Sequence, residues 1–298
     1  MNTTQVRRID ALALIVSIVA IAASAPIVVA FSGPALAIGL WRNVLGTVVT
    51  LPFALRRRDA FRALSRRNWW YTIAAGVLLG IHFGTWIPSL RYTSIAASTS
   101  IVATQVVWAA LIAFSLGHRA PRLEWIGIGV AITGVVVLTG IDVSLDAGAL
   151  FGDLLALLGA ISAAAYMVIG QRLRSVLPLS AYTTIVYGMA SLTLLTLCLA
   201  TGTSLWGFSA RDWWLIIAIT VLAQFGGHSL MNMALRSFSA TTISLAILLE
   251  VPGATLLGWV WPGQTPPWEL LPAAALILLG LALVVRAGRE QPASHTST

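Results

Sequence analysis

The stretch Trp69–Gln105, WWYTIAAGVLLGIHFGTWIPSLRYTSIAASTSIVATQ, is written a second time in altered form as Trp213–Glu250, WWLIIAITVLAQFGGHSLMNMALRSFSATTISLAILLE. Each copy opens on two tryptophans and continues as two long apolar runs joined by a very short polar turn. In register, Arg91 of the first turn matches Arg236 of the second, and Gln105 matches Glu250. The repeat predicts that the chain is built from two copies of one helical unit.

The composition indicates a membrane protein. Of the 298 residues, 58% are hydrophobic and 9% are charged, whereas soluble domains carry roughly 25% charged residues. A helix that crosses the hydrocarbon core needs about 20 apolar residues. The single cysteine, Cys198, excludes an internal disulfide and makes a thiolate metal site improbable on chemical grounds, so no cofactor is expected.

Ten apolar segments are long enough to span a bilayer. The first follows Arg7-Arg8 and is interpreted as a retained helix rather than a signal peptide, because its apolar run is long and nine further spans follow. The predicted spans are Asp10–Phe31, Ala35–Leu55, Trp69–Leu90, Ser94–Leu116, Leu123–Gly140, Leu150–Gln171, Ala181–Thr201, Asp212–Leu235, Ala240–Trp261 and Trp268–Arg286.

The basic residues predict the topology. All 18 are arginines, and fifteen of them fall at the two termini and in the loops after the even-numbered spans up to span eight. Only Arg91 and Arg211 fall in the other loops, and Arg42 lies within a span. Because basic loops stay in the cytoplasm, both termini are expected to be cytoplasmic, in the cell's inner (plasma) membrane. The net charge of +8 is explained by this asymmetry, and no nucleic-acid partner is expected.

An odd number of spans in each half inverts the second copy relative to the first. The predicted fold is therefore an all-α membrane protein of ten transmembrane helices, arranged as two inverted five-helix repeats around a central cavity. Its parts are residues 1–147 (first repeat), 148–287 (second repeat) and 288–298 (a disordered cytoplasmic tail). Inverted repeats are typical of secondary transporters, in which the halves exchange conformations around one central site.

Four polar side chains fall near the middle of four spans: His82, Gln105, Gln224 and Glu250. Polar groups in hydrocarbon cost several kcal/mol unless they are paired or hydrated. They are expected either to hold helices together or, as we favour, to line a cavity. Helical spacing brings Trp86 to the His82 face, Trp108 to the Gln105 face and His228 to the Gln224 face, with Asn232 one turn beyond. The candidate substrate-binding residues are His82, Thr85, Trp86, Gln105, Trp108, Tyr166, Gln224 and His228.

Two charged residues lie deep in spans. Arg42 is expected to reach outward or to pair with a carbonyl group. Glu250 is either a proton-coupling carboxylate or a structural strut beside Pro252, and the strut is the favoured interpretation. Gly80, Gly84, Gly226 and Gly227 are the hinge candidates, since glycine weakens side-chain packing and frees the backbone to bend.

Several segments resemble the EamA-type repeats of the drug/metabolite transporter superfamily: PALAIGLWRNVLGTVVT (34–50), SLRYTSIAASTS (89–100), GHRAPRLEWIGIGVAITGVVVL (117–138) and ALRSFSATTISLAILLEVPGATLLG (234–258). The tryptophan content and the His82 region are most similar to the YddG group of amino acid exporters. The resemblance implies a ten-helix basket whose cavity is lined mainly by helices 1, 3, 4, 6, 8 and 9, and it implies export of small metabolites.

The sequence departs from the family at one place in each repeat. The Gly-Glu-Arg usually found before the last helix reads Gly117-His118-Arg119 and Pro262-Gly263-Gln264. Any role of those glutamates does not carry over to this chain.

Two other functions remain as alternatives. A proton-coupled drug exporter of the same superfamily would take cationic substrates and depend on Glu250. An intramembrane enzyme is disfavoured, because the four histidines (His82, His118, His228 and His295) show no metal-ligand spacing and no catalytic nucleophile with a base is evident. The expected partners are a small-molecule substrate, such as an amino acid, and the lipid bilayer.

Overall fold

A computed structural model describes residues 3–93, 95–117, 120–139, 147–260 and 268–290, and within these ranges the chain is helical and contains no strand. The helices are α1 (Thr3–Ala22), α2 (Ser24–Ala30), α3 (Ala35–Leu55), α4 (Arg58–Arg62), α5 (Arg66–Ser89), α6 (Ile95–Ala103), α7 (Gln105–Ser115), α8 (Arg122–Thr139), α9 (Ala147–Arg174), α10 (Leu179–Ala200), α11 (Ala210–Ile219), a π-helix (Thr220–Ser229), α12 (Leu230–Ala234), α13 (Ala240–Ile247), α14 (Glu250–Val260) and α15 (Leu270–Glu290).

Each predicted span coincides with one helix or with consecutive helices. Among the described residues, seven helical segments are long and apolar enough to cross a membrane. They are Gln5–Ala30, Ala35–Leu55, Arg66–Ser89, Ala97–Ser115, Ala147–Arg174, Leu179–Ala200 and Ala210–Ala234. Ala240–Gly253 and Leu271–Ala287 are shorter apolar helices, and α8 is a further apolar helix of 18 residues.

The carboxyl-terminal boundary differs from the prediction. Helix α15 continues to Glu290, so the chain is still helical at positions 288–290, where the tail was expected to begin. Residues 291–298, the acidic loop with Asp142 and Asp146, and the motif positions 118, 119 and 262–264 lie outside the described residues.

Four of the helices begin directly after a residue that favours a helix start, either a serine or a proline. Ser65 and Ser209, each four residues before a tryptophan pair, accept a hydrogen bond from the backbone N–H three residues on and cap α5 and α11. Pro34 and Pro178 precede α3 and α10. The starting residues of these helix pairs therefore match between the two halves of the chain.

Among the described residues, three spans are interrupted within their length. Two of the breaks lie at Ala23 and at Leu248 and Leu249, and Pro26 and Pro252 lie three residues beyond them. A proline has no N–H to donate and its ring crowds the carbonyl four residues earlier, so the helix is interrupted there. The third break, at Thr104, has no proline. The Thr104 hydroxyl donates to the carbonyl of Ile101 at 2.6 Å instead.

The helices pack in pairs that alternate between the two halves. Helix α3 packs on α10, α8 packs on α15, α5 packs on α9, and α1 packs on the π-helix. Close approach of α5 and α10 depends on glycine: a Cβ atom added at Gly80 would lie 2.6 Å from Cβ of Thr193, and one at Gly84 would lie 2.5 Å from Cδ1 of Leu197. These contacts leave a space between α1, α5, α6, α7, α9 and the broken spans of the second half.

Candidate functional site

A cavity lies between the helices, with an empty volume of about 650 Å³ that includes open solvent at its mouth. Its wall is mainly apolar with a few polar groups. The lining residues are Ile21, Ser24, Leu79, His82, Trp86, Thr99, Val102, Ala103, Gln105, Ala163, Tyr166, Met167, His228, Met231, Ile247, Glu250 and Val251.

His82 and Trp86 form one flat wall of the cavity. They lie one turn apart on α5, and their rings stack with centroids 5.8 Å apart and planes 3° apart. Because a carbonyl only accepts, Nδ1 of His82 donates its proton to the carbonyl of Gly159, at 3.0 Å. The neutral ring is then left with Nε2 as an acceptor. The predicted pair is therefore present as a rigid aromatic surface.

Two polar atoms at the cavity wall are buried and have no hydrogen-bond partner among the described residues: Nε1 of Trp86 and Nδ1 of His228. Buried polar atoms in proteins nearly always have a partner. The His82 ring lies between them, 5.8 Å from the Trp86 ring and 6.5 Å from the His228 ring. A bound solute with hydrogen-bonding groups would satisfy both.

Gln105 and Glu250 meet at the cavity from matched positions. Gln105 is the first residue of α7 and Glu250 the first residue of α14, each directly after the break in its span. Neither side chain has a hydrogen-bond donor or acceptor partner among the described residues, and both line the cavity. A structural role for Glu250 as a hydrogen-bonded strut would need such a partner, and none is present among the described residues.

Tyr166 lies at the floor of the cavity. Its side chain is 1% exposed, and its hydroxyl accepts a hydrogen bond from Nδ2 of Asn232. Nε of Arg174 donates to the backbone carbonyl of Asn232 at 2.9 Å. These bonds tie α9 to α12 just below the cavity.

Gln224 was predicted to line the cavity, and the structure places it elsewhere. It is fully buried, its Oε1 accepts from Nε of Arg42 at 2.8 Å, and its Nε2 donates to Oδ1 of Asn43 at 3.0 Å. Arg42 thus pairs with a side-chain carbonyl and does not reach outward. Its guanidinium also lies 4.3 Å from the ring centre of Phe83. Gln224 serves as a link between two spans.

The π-helix explains why the predicted stripe of Gln224, His228 and Asn232 failed. In a π-helix the hydrogen bonds join residues five apart, so each turn holds more residues than in an α-helix. The rotation from one residue to the next is then smaller, so side chains four and eight apart are turned differently from what the predicted α-helical spacing assumed. As a result Gln224 faces α3, His228 faces the cavity, and Asn232 faces Tyr166.

Two further candidates do not contribute to the cavity wall. Thr85 turns toward its own helix, and its hydroxyl donates to the carbonyl of Ile81 at 2.9 Å. Trp108 is half-buried on α7 and is absent from the lining. The sequence analysis in turn missed Ser24 and Thr99 as lining residues and Asn43 as a network member. Asn43 stands next to Arg42 in a span, which was the available signal.

The hinge candidates lie at close helix contacts. Gly80 and Gly84 sit within the uninterrupted α5 against α10, and a Cβ atom added at Gly227 would lie 2.5 Å from Cγ1 of Ile21. Gly226 and Gly227 belong to the π-helix, whose geometry already departs from the regular helix. Their hinge role stays a prediction.

An all-helical chain with several membrane-spanning segments around a partly polar cavity is a multi-pass membrane protein of the permease type. The sequence profile of the EamA-like transporter family matches residues 9–140 and again 150–286. The chain therefore belongs to the EamA-like transporter family.

The chain is also similar to one curated relative and to one solved structure. The chain is 25% identical over 290 residues to the inner membrane protein YtfF of Escherichia coli strain K12, covering 88% of this chain and 90% of that protein. It also superposes on a crystal structure of a protein of 19% sequence identity with a TM-score of 0.75, covering 98% of this chain and 100% of the other. The superposition shows a shared fold.

Proposed function

We propose that the protein is a secondary transporter of the inner membrane that exports small zwitterionic metabolites, namely neutral and aromatic amino acids, by alternating access. The observation that carries the proposal is the set of cavity groups without partners. Glu250 offers an acceptor to an ammonium group, Trp86 offers an N–H donor, and the His82–Trp86 stack offers a flat apolar face. These groups match a solute that carries both charge and a ring.

Packing supports the arrangement of the two halves as inverted repeats. If the spans before and after residue 147 are exchanged, the α3–α10 and α8–α15 pairs map onto themselves, and the α1–π-helix pair maps onto α9–α5. The family profile also matches once in each half. With ten crossings and the arginine asymmetry, both termini lie in the cytoplasm, and the domains are residues 1–147 and 148–287.

The proton-coupled drug exporter is the second candidate, and Glu250 is the observation that favours it. An unpaired carboxylate in a largely apolar cavity attracts a cationic drug as well as the ammonium of an amino acid. The two classes of substrate differ in their second charged group. An amino acid has a carboxylate that needs a hydrogen-bond donor in the cavity, and a cationic drug has none. The Trp86 N–H supplies such a donor.

Equilibrium binding to the purified protein tests the substrate class. The ligands are phenylalanine, tryptophan, leucine, glutamate and a quaternary ammonium dye, and bound ligand is measured by scintillation proximity with the purified protein. We expect saturable binding of the first three that competes with one another. Binding of the dye with no binding of any amino acid would support the drug exporter instead.

A further inference from the structure

One side of the protein is held by an ion pair whose carboxylate is buried and whose arginine is partly exposed. We call this side the Asp10 face. Asp10 on α1 is fully buried, and Arg236, in the turn between α12 and α13, donates to both of its carboxylate oxygens, from Nε at 2.9 Å and from Nη2 at 2.8 Å. The hydroxyl of Ser237 also donates to Asp10. The hydrogen bonds from Arg236 to Asp10 raise the pKa of Arg236, so the guanidinium stays charged. It fastens α1 to the span that carries His228.

The chain contains a second copy of both partners. Asp10 opens the sequence Asp-Ala-Leu-Ala-Leu in α1, and Asp153 opens Asp-Leu-Leu-Ala-Leu in α9. Arg236 follows a leucine in the second repeated turn, and Arg91 follows a leucine at the same place in the first. Residues Asp153 and Arg91 are thus the counterparts of the ion pair on the opposite side, which we call the Arg91 face.

The counterparts lie on neighbouring segments and are not paired. The start of α9 packs against the turn after α5: a Cβ atom at Gly152 would lie 2.9 Å from the backbone nitrogen of Thr93, and the Tyr92 and Phe151 rings meet at 5.1 Å. Yet Oδ1 of Asp153 is buried without a hydrogen-bond partner among the described residues.

Arg91 has other partners. Its Nη2 donates instead to the carbonyls of Phe31, at 2.8 Å, and Gly33, at 3.3 Å. The two faces therefore differ although their sequences match.

The groups that bound the cavity also differ between the Asp10 face and the Arg91 face. On the Asp10 face it is closed below Tyr166 by the bonds among Tyr166, Asn232 and Arg174. Toward the Arg91 face its lining reaches Ser24 at the start of α2 and Trp86 near the end of α5. The formed ion pair lies on the side of these bonds, and the unformed one lies on the side of Ser24 and Trp86.

We propose that Asp10–Arg236 and Asp153–Arg91 are two exchangeable clamps, of which one closes as the other opens, and that the structure is the state with the Asp10 face closed. The inference rests on the proposed alternating access. In the other state Arg91 leaves the carbonyls of Phe31 and Gly33 and pairs with Asp153, and Asp10 releases Arg236. The Oδ1 atom of Asp153, which has no hydrogen-bond partner among the described residues in this state, is the acceptor for Arg91 in the other state. An ion pair present in only one state shifts the balance toward that state by its differential free energy.

The test reads conformation and uses no substrate. In purified Cys198→Ala protein, a single reporter thiol is introduced as Ser24→Cys, toward the Arg91 face, or as Ser244→Cys, a fully buried position on α13 near the Asp10 face. The rate of modification by a hydrophilic maleimide is measured for each. Ser24 is itself only 3% exposed but lines the cavity, so we expect modification at position 24 to be faster than at position 244.

Breaking the formed clamp with Asp10→Asn, or with Arg236→Gln as a second route, is expected to raise the rate at position 244 by roughly fivefold or more and to lower it at position 24, the range of conformational coupling in proteins. Adding Asp153→Asn should reverse most of that rise, because it removes the clamp of the other state. The charge exchange Arg91→Asp with Asp153→Arg in the Asp10→Asn protein should restore the rise. The control Arg211→Ala changes an exposed arginine on the Arg91 face and should have no effect.

No rise with either clamp variant, or no reversal by Asp153→Asn, would overturn the proposal. So would a failure of the charge exchange to restore the rise in protein that remains monodisperse. Since the readout needs no solute, a wrong substrate class leaves this result unchanged. If the protein transports amino acids but the clamp variants do not change the modification rates, the inference is refuted and the proposed function is retained.

Discussion

Arg42 and Gln224, which lie 182 residues apart in the chain, are joined by a buried hydrogen bond of 2.8 Å from Nε of the arginine to Oε1 of the glutamine. Both Nη atoms of Arg42 lack hydrogen-bond partners among the described residues. The ring of Phe83 and the Gln224 amide are the groups in direct contact with this guanidinium, and Tyr187 and Glu250 attract its charge from further away. The pair ties the first half of the chain to the second beside the cavity.

Replacing Gln224 is expected to weaken the fold more than the site. Gln224→Ala removes the hydrogen bond to Arg42, and a bond to a charged group contributes about 1.5–3 kcal/mol. The midpoint of thermal unfolding in detergent should fall. The matched control is Gln105→Ala, which removes an equally buried amide that lines the cavity without a hydrogen-bond partner in the described chain. It should leave the midpoint unchanged and lower transport. A lower midpoint for Gln105→Ala together with lower transport for Gln224→Ala at an unchanged midpoint would contradict this assignment of the two residues.

Trp86→Phe isolates the indole N–H from the aromatic surface. The ring remains, whereas the unpartnered Nε1 donor is lost. If the substrate accepts from it, affinity should fall by about five- to tenfold, the effect of one hydrogen bond of about 1 kcal/mol or slightly more. Binding of phenylalanine is the measurement. Trp206→Phe, at a side chain that is 65% exposed, is the control. Equal affinity in Trp86→Phe would mean that Nε1 does not meet the substrate.

Glu250→Gln is expected to reduce binding of amino acids at least tenfold, because the amide does not neutralise an ammonium group. The midpoint of unfolding should not fall, since among the described residues no donor bonds the carboxylate. Glu269→Gln, outside the cavity, serves as the control. A lower midpoint with normal transport would restore the structural role that the sequence suggested. Loss of pH dependence alone, with binding intact, would indicate proton coupling.

Gly80→Ala tests whether α5 is a packing element or a hinge. The new methyl group would collide with Cβ of Thr193 at 2.6 Å, and overpacking costs typically 1–3 kcal/mol. Transport should fall in proportion to the loss of folded protein. Gly129→Ala is the control, because its Cβ would meet open space. A folded, thermally normal Gly80→Ala protein that does not transport would show that bending at this glycine is needed.

The helical fold was largely predictable because the length of each apolar run is a property of the sequence itself. Hydrophobic runs predicted the helices of the spans, whereas the short helix α4 (Arg58–Arg62) lies in the basic loop and was not predicted. The paired tryptophans indicated the repeat. His82, Trp86, Gln105, Tyr166, His228 and Glu250 do line one cavity, because depth in the span, rather than exact rotation, brings them together.

The remaining site features depend on rotation about each helix axis. The π-helix at Thr220–Ser229 turns Gln224 toward Arg42. A sequence pattern interpreted with the 3.6-residue period of an α-helix does not predict a π-helix. Thr85 and Trp108 were placed by spacing alone, and a small rotation is enough to remove them from the wall. The Asp10–Arg236 pair joins residues 226 apart, and the sequence offered for it only the repeated Asp-x-Leu-Ala-Leu.

The most direct test of the central claim is solute exchange in sealed vesicles that contain the purified protein. Vesicles are loaded with unlabelled phenylalanine and diluted into a trace of labelled phenylalanine, and accumulation of the label is followed over time. We predict transient accumulation above that of empty vesicles, abolished by unlabelled tryptophan outside and strongly reduced by Trp86→Ala and His82→Ala. Absence of exchange for every neutral and aromatic amino acid, in vesicles where the same folded protein exchanges a cationic dye, would contradict the account.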